Sequence, residues 1–350
     1  MNNGHIKIRW GGGLKSSLFD HVISLENLFA AWREFKRGKT GRLEVQEFAF
    51  HLEDNIFKLH RELKQKVWKP DSYTAFYIRD PKLRHIHKAT VRDRVFNQAL
   101  FRVLYQIFDK GFITDSYSCR DGKGTHRGVQ KIGSYIRKIS YNYTKLALAL
   151  KCDVRKYFDN IDHEILFGII RKKVSDPDIL SIIHMIIWSF ETKPGVGLPL
   201  GNVTSQLFAN VYLNELDQFI KHTLKAKYYV RYCDDFIILD TGRDLLGKYI
   251  CDIDIFLQSK LHLFLHPHKI IIRTCSRGID FLGYVVLPKR TVLRTKTKKR
   301  IMKKIKFLKA QINRDMITPE TFNRNVQSYL GMLTHCAGYK IQQEIENFIA

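Results

Sequence analysis

Apolar positions recur at helical spacing through the first part of the chain and alternate further on, which predicts a helical start followed by short strands set among more helices. Between residues 24 and 68 two helical patterns follow one another. The second carries a stripe of Val45, Phe48, Ala49, Leu52, Ile56, Leu59, Leu63 and Val67 that Pro70 ends. Residues 73–78 alternate like a strand, and Asp80-Pro81-Lys82-Leu83 predicts a turn into Arg84-His85-Ile86-His87-Lys88. A helix over 91–109 follows. Residues 118–128 form a glycine-rich basic loop that leads into a helix, but without the Gly-Lys-Ser/Thr ending of a nucleotide-triphosphatase loop.

The middle of the chain reads as an apolar strand over 146–153 that ends in Asp153, an aromatic-bearing turn, and a helix capped near Asp162. Helices are expected over 162–173 and 177–190, the second an apolar core stripe. Pro194-Gly195-Val196-Gly197-Leu198-Pro199-Leu200-Gly201 is a flexible strand and turn, after which Asn202 or Thr204 caps a long helix to about Lys225. Two apolar runs then flank Cys233-Asp234-Asp235, a hairpin with carboxylates at its tip. After a helix over 243–260, segments 261–265, 269–274 and 279–287 are expected to complete one mostly antiparallel sheet. From Arg290 to Lys309 ten Lys or Arg and no acid share a helix with apolar Ile301, Met302, Ile305 and Leu308, and helices 319–333 and 338–349 close the chain.

Composition adds one strong signal. At 350 residues and 45% hydrophobic the chain holds an ordinary core, but its net charge of +25 favours a polyanionic partner such as nucleic acid. Six cysteines scattered without Cys-x-x-Cys pairing fit a reducing compartment and argue against a zinc module. Residues 1–20 read as a polar, glycine-rich arm bearing Lys7, Arg9 and Lys15. Neither a signal-peptide core nor a membrane-length apolar run is present in the sequence, so a soluble intracellular protein is expected, with no membrane partner.

Two consecutive carboxylates repel each other unless a divalent cation neutralises them, and hard oxygen ligands suit Mg2+ or Mn2+. Asp153 joined with Asp234 or Asp235 makes the carboxylate set of a two-metal site, in which one ion activates an attacking hydroxyl and the other steadies a leaving pyrophosphate. Histidines 262, 266 and 268 alternate, but without further acidic or thiol partners they are expected to be surface or packing residues.

Asp153-x-x-x-x-Phe158, Leu198-Pro199-Leu200-Gly201-Asn202-Val203-Thr204-Ser205-Gln206, Tyr232-Cys233-Asp234-Asp235 and Phe281-Leu282-Gly283-Tyr284 resemble, in order and spacing, successive blocks of a reverse transcriptase palm. The resemblance runs from about Tyr73 to the C-terminus. It implies an α+β right-hand polymerase: fingers with the N-terminal helices over 21–145, a palm over 146–289 and a basic three-helix thumb over 290–350. The third block departs from the usual Gln-Gly-x-x-x-Ser-Pro and is similar to that of diversity-generating retroelement enzymes.

The resemblance implies RNA-directed DNA synthesis with two Mg2+ ions, or Mn2+, held by Asp153, the Val154 backbone, Asp234 and Asp235. It also assigns the incoming dNTP to Lys82, Arg84, Phe158, Leu200, Gly201, Gln206 and Lys269, with Phe158 blocking a 2′-hydroxyl so that the product is DNA. Arg120, Lys123 and Arg127 would contact the template backbone, and Lys299, Lys303 and Lys306 the template-primer duplex. Template RNA, a cDNA or DNA primer and an oligomeric basic accessory protein are the implied partners. The setting would be the cytoplasm of a bacterium, the gene bacterial or phage-borne, and the biology error-prone copying at template adenines. A phage-defence or domesticated enzyme, a group II intron maturase and a non-catalytic RNA-binding protein on the same fold are the alternatives. Intact Asp153, Asp234 and Asp235 argue against the last, and the missing maturase extensions against the maturase.

Overall fold

The computed structural model describes residues 17–79 and 82–349. The arm cations Lys7, Arg9 and Lys15 and the expected Asp80-Pro81 turn lie outside them. The chain opens with helices α1 (Leu18–Ile23), α2 (Leu25–Phe35), α3 (Leu43–Phe50) and α4 (Leu52–Lys64), then strands β1 (Thr74–Arg79) and β2 (Leu83–Lys88) and helices α5 (Val91–Phe108) and α6 (Thr125–Ile139). Next come β3 (Leu148–Asp153), α7 (His163–Arg171), α8 (Pro177–Trp188), α9 (Val203–Gln218), β4 (Tyr228–Tyr232), β5 (Asp235–Asp240) and α10 (Arg243–Leu261). Strands β6 (Ile271–Thr274), β7 (Ile279–Phe281), β8 (Tyr284–Val286) and β9 (Thr291–Leu293) lead to helices α11 (Thr295–Ile312), α12 (Pro319–Leu333) and α13 (Tyr339–Ile349).

Two compact units are assembled from separate stretches of chain. The first takes the chain to Thr114 with Val154–Thr223 and Ile253–Leu265, and the second takes Asp115–Asp153, Leu224–Asp252 and everything from His266. In the first, α5 packs on α2 and α9, and Val95, Phe96, Leu100 and Leu104 of α5, Leu28 and Trp32 of α2 and Phe208 of α9 are all buried. The β1–β2 hairpin pairs Thr74 with Lys88 through to Arg79 with Leu83, with β1 exposed along its whole length. In the second, an antiparallel sheet of order β4-β5-β3-β6 carries α6 on one face, through Ile132, Ile136, Val230 and Ile237. Helices together with antiparallel sheets make an α+β fold, as the resemblance implies. No helix among the described residues is long and apolar enough to cross a membrane.

Four expectations change. Residues 18–20 belong to α1 and not to the arm, because Ser17 and Asp20 form a reciprocal capping box. The long stripe over 45–67 splits into α3 and α4 at His51, where the Asn55 side chain donates to the Phe48 carbonyl and takes up an acceptor freed by the break. Residues 261–265 form no strand beyond a single bridge from Leu265 to Val154. Residues 279–287 leave the main sheet to form a separate one with β9, in the order β7-β8-β9. The cause is local: Leu282 and Gly283 both have positive φ, 51° and 88°, and turn β7 straight back onto β8.

Candidate active site

Asp153 is the last residue of β3 and faces Asp235, the first of β5, directly across the antiparallel ladder. Residues so paired lie on one face of a sheet with their side chains a few ångströms apart. Cys233 and Asp234 form the two-residue loop between β4 and β5, so the third carboxylate sits at the hairpin tip. All three acids belong to the second unit.

Lysines meet two of these acids. Lys269 Nζ lies 2.7 Å from Asp153 Oδ1, and Lys151 Nζ lies 3.2 Å from Asp235 Oδ2. Lys151 also donates to the Asp280 carbonyl at 2.8 Å and sits 5.9 Å over the Phe281 ring. Its presence here was readable: two residues before Asp153 in a strand, it shares that residue's face. Lys269, expected on a nucleotide phosphate, pairs with Asp153.

The lysines do not satisfy the site completely. Asp235 Oδ1 is buried and has no hydrogen-bond partner among the described residues. Burial pushes the Asp235 carboxyl up to about 6; Lys151 opposes the rise, and the Asp153 and Asp234 carboxylates add to it. Asp234 is also held above the usual carboxylate range, first by burial and then by Asp153. Burial raises the Cys152 and Cys233 thiols, so neither neighbour is a ready nucleophile. Among the described residues no three His, Cys, Asp or Glu side chains form a ready metal cage. An orphaned buried carboxylate oxygen beside two further acids nonetheless fits a hard divalent cation, which neutral packing could not replace.

The other expected residues separate by unit. Val154 is fully buried, bridged to Leu265. In the first unit, the Leu198 amide donates to the Phe158 carbonyl at 2.8 Å, so half-buried Phe158 stands beside the Leu198–Gly201 turn as expected. The Leu200 carbonyl accepts from His87 N–H at 3.1 Å. Gly201, at φ 123°, allows this approach, since a Cβ there would stand 3.3 Å from Ile86 Cγ2. Leu200 lines a cavity of about 610 Å³ with His85, His87, Arg155, Lys156, Phe190 and Lys193, among others. None of those six was singled out from sequence. Lys82 and Arg84 are exposed on the β1–β2 hairpin and have no ion pair among the described residues; Gln206 is exposed on the first turn of α9.

In the second unit, Arg120 donates to the Ser116 carbonyl at 3.1 Å, Lys123 lies 5.3 Å over the Tyr117 ring and exposed Arg127 donates to the Gly122 carbonyl. Lys299, Lys303 and Lys306 line one groove of α11 with Met302, opposite the buried Ile301, Ile305 and Leu308. Of the three alternating histidines, His262 meets Asp162 at 3.0 Å and His266 accepts from the His268 amide, so they are held as packing and surface groups.

Residues 69–286 match the family profile of the reverse transcriptase (RNA-dependent DNA polymerase) domain. The chain belongs to the reverse transcriptase family. The group II intron-encoded protein LtrA of Lactococcus lactis subsp. cremoris is 26% identical over 325 residues, covering 71% of this chain and 53% of its own. Protein YkfC of Escherichia coli K12 is 24% identical, covering 67% and 71%. Nuclear intron maturase 3, mitochondrial, of Arabidopsis thaliana is 25% identical, covering 73% and 40%. The chain thus spans about half the length of the LtrA relative. A solved apo telomerase from Candida tropicalis superposes on 70% of the chain with a TM-score of 0.47 and 14% identity, too slight a likeness to argue from.

Proposed function

We propose that this reverse transcriptase is an RNA-directed DNA polymerase that copies a template RNA into cDNA, with Asp153, Asp234 and Asp235 holding two Mg2+ ions, or Mn2+. The observation that carries this is the cross-strand pair Asp153 and Asp235 with Asp234 beside it, one carboxylate oxygen buried without a hydrogen-bond partner among the described residues, in a chain of charge +25. Bound there, the cations would acidify the primer 3′-hydroxyl, whose proton passes to solvent, and neutralise the charge on the departing pyrophosphate. The new bond joins that hydroxyl oxygen to the α-phosphorus of a dNTP, and the bond to the bridging oxygen of pyrophosphate breaks. Lys269 and Lys151 act as internal counter-ions to Asp153 and Asp235 while no cation is bound. Residues 21–145, 146–289 and 290–350 then serve as fingers, palm and thumb. Lys82 and Arg84 take the triphosphate, Phe158 rejects a ribose 2′-hydroxyl, and Leu200, Gly201 and Gln206 floor the nascent pair. Incorporation of dNTPs on a primed RNA template with Mg2+ tests the reading; a native chain that extends no primer under any divalent ion overturns it.

Asp235 makes a pH signature. Its raised carboxyl means that the folded state holds a proton that the unfolded state, near 3.8, has already released. Without divalent ion, stability is therefore unpenalised below about 4, falls as pH rises toward 6 and stays lowered above it, by a few kcal/mol at most. The melting temperature of the native chain minus that of Asp235→Asn should fall over that window, and Mg2+ should raise the native value more at pH 7.5 than at pH 5. Equal Mg2+ shifts at both pH values would rule out the assignment.

For the biology we infer mutagenic copying of a diversity-generating retroelement, with a structured template RNA and a basic accessory oligomer as partners in a bacterial or phage setting. What supports it is Leu200, on the cavity wall, at the position where most reverse transcriptases carry Gln. A glutamine amide hydrogen-bonds around the nucleotide, whereas leucine offers dispersion contacts alone. Losing one polar contact costs about 1 kcal/mol of discrimination, or roughly five- to tenfold in misincorporation. Leu200→Gln should lower errors opposite template adenine more than opposite the other bases, with extension retained; sequenced cDNA with an unchanged adenine error rate removes Leu200 from the explanation. The intron-encoded relatives favour a second reading, copying of a mobile intron RNA. Paired near-identical repeats beside the gene, differing at adenines, separate the two.

A further inference from the structure

The Asp234 turn is held in an unfavourable backbone conformation. Cys233, the first residue of the two-residue loop, has φ 55°, a region that side chains other than glycine rarely adopt. Hairpin loops that need this geometry normally place glycine there. Something must hold the turn, and the neighbouring strand supplies a group.

Arg231 of β4 is wholly buried, 0% exposed. A buried guanidinium is costly unless its hydrogen bonds are well placed. In β4 it pairs with Phe236 and not with Asp235, so its side chain lies on the face of the sheet opposite the Asp153 and Asp235 carboxylates. It therefore cannot act on them directly. Instead its Nη1 donates to the Cys233 carbonyl at 3.1 Å. That carbonyl belongs to the planar peptide unit carrying the Asp234 amide, so fixing its direction fixes the plane from which Asp234 projects. Arg231 is itself anchored on its outer edge: its amide donates to the Asp115 carbonyl at 3.0 Å, and its carbonyl accepts from the Tyr117 amide at 2.9 Å.

We propose that Arg231 is a positioning residue of the polymerase site, which holds the Cys233 carbonyl so that the strained turn keeps Asp234 turned toward the cation-binding face. The inference rests on the reading of Asp234 as a cation ligand. Its test uses cation binding alone, without nucleotide, so that a failure of primer extension overturns that reading while leaving this one to be judged separately.

The probe is Mn2+ titrated into the full chain and followed by the paramagnetic resonance of the free ion, with circular dichroism of each variant as a check on folding. Arg231→Met should weaken Mn2+ binding about tenfold, the scale of one lost hydrogen bond from a charged donor. Cys233→Gly adopts the same φ without strain, so the turn no longer depends on the brace. Arg231→Met made in the Cys233→Gly background should bind Mn2+ within about threefold of Cys233→Gly alone, whereas in the Cys233→Ala background the full tenfold loss should remain. A contribution to general stability alone would not distinguish glycine from alanine. If Arg231→Met does not fold, Arg231→Lys, which keeps the charge but loses the planar fork, carries the same comparison. Native Mn2+ affinity in the folded Arg231 variant, or an equal loss in the glycine and alanine backgrounds, overturns the proposal.

Discussion

Primer extension on an RNA template should fall by roughly three orders of magnitude or more when Asp234 and Asp235 are both replaced by Ala, because the proposed cations would lose two of their three carboxylates. The structure adds a second expectation that separates loss of chemistry from loss of fold. Asp153 faces Asp235 across the ladder, and like charges so placed oppose folding. Removing two of three crowded acids should leave the chain at least as stable without divalent ion near neutral pH, where the buried Asp235 is charged. Lys151 and Lys269 remain to neutralise what is left of the site, with Asp153 still paired to Lys269 at 2.7 Å. The decisive pair of measurements is extension rate and melting temperature on the same preparation. An inactive variant with native or higher melting temperature supports the assignment; extension at the native rate ends it.

Salt dependence should show the next largest effect. Lys299, Lys303 and Lys306 stand four and three residues apart on α11, which spans about 10 Å along the helix at 1.5 Å per residue. That spacing presents them as one exposed row, while Ile301, Ile305 and Leu308 hold the opposite side of the helix in the core. Lys298 beside them is paired with Glu344 at 2.7 Å and contributes less to an anionic ligand. If each of the three meets a phosphate, changing all three to Gln should reduce the slope of log affinity against log salt by about 2.7 for a B-form duplex, and comparably for a hybrid duplex. The loss should be uniform across sequences, since phosphate contacts carry no base information. A triple variant that keeps both affinity and slope would remove α11 from the nucleic-acid surface.

Much of this site was legible in the chain because its signals are local. Strand periodicity and an acid at the end of an apolar run identified Asp153, and two apolar runs around a dipeptide identified the Asp234-Asp235 tip; both depend on neighbours in sequence, which short-range sterics govern. The same holds for α11, where a 3.6-residue stripe and an unopposed run of cations name both faces of the helix. Family membership, which the matching of residues 69–286 establishes, follows from those same blocks.

What the sequence did not reveal depends on which distant segments meet. The stripe over 45–67 is continuous in sequence, yet α3 packs on α5 and α4 on α2, so the helix breaks to serve both. The strand-like residues 279–287 pair with β9 instead of the main sheet, because the positive-φ pair Leu282 and Gly283 turns β7 back onto β8. Strand periodicity puts Lys151 on the face of Asp153, but that its partner is Asp235 is decided only by the ladder register and the approach of Asp280. Arg231 lies within the apolar run before the tip, and only the structure shows it wholly buried with Nη1 on the Cys233 carbonyl. Charge, periodicity and turn chemistry are properties of adjacent residues and determine the elements and the acids. Register, burial and the pairing of charges are set when segments 80 to 120 residues apart close on one another, as Asp153 does with Asp235 and with Lys269, and only the tertiary structure decides them.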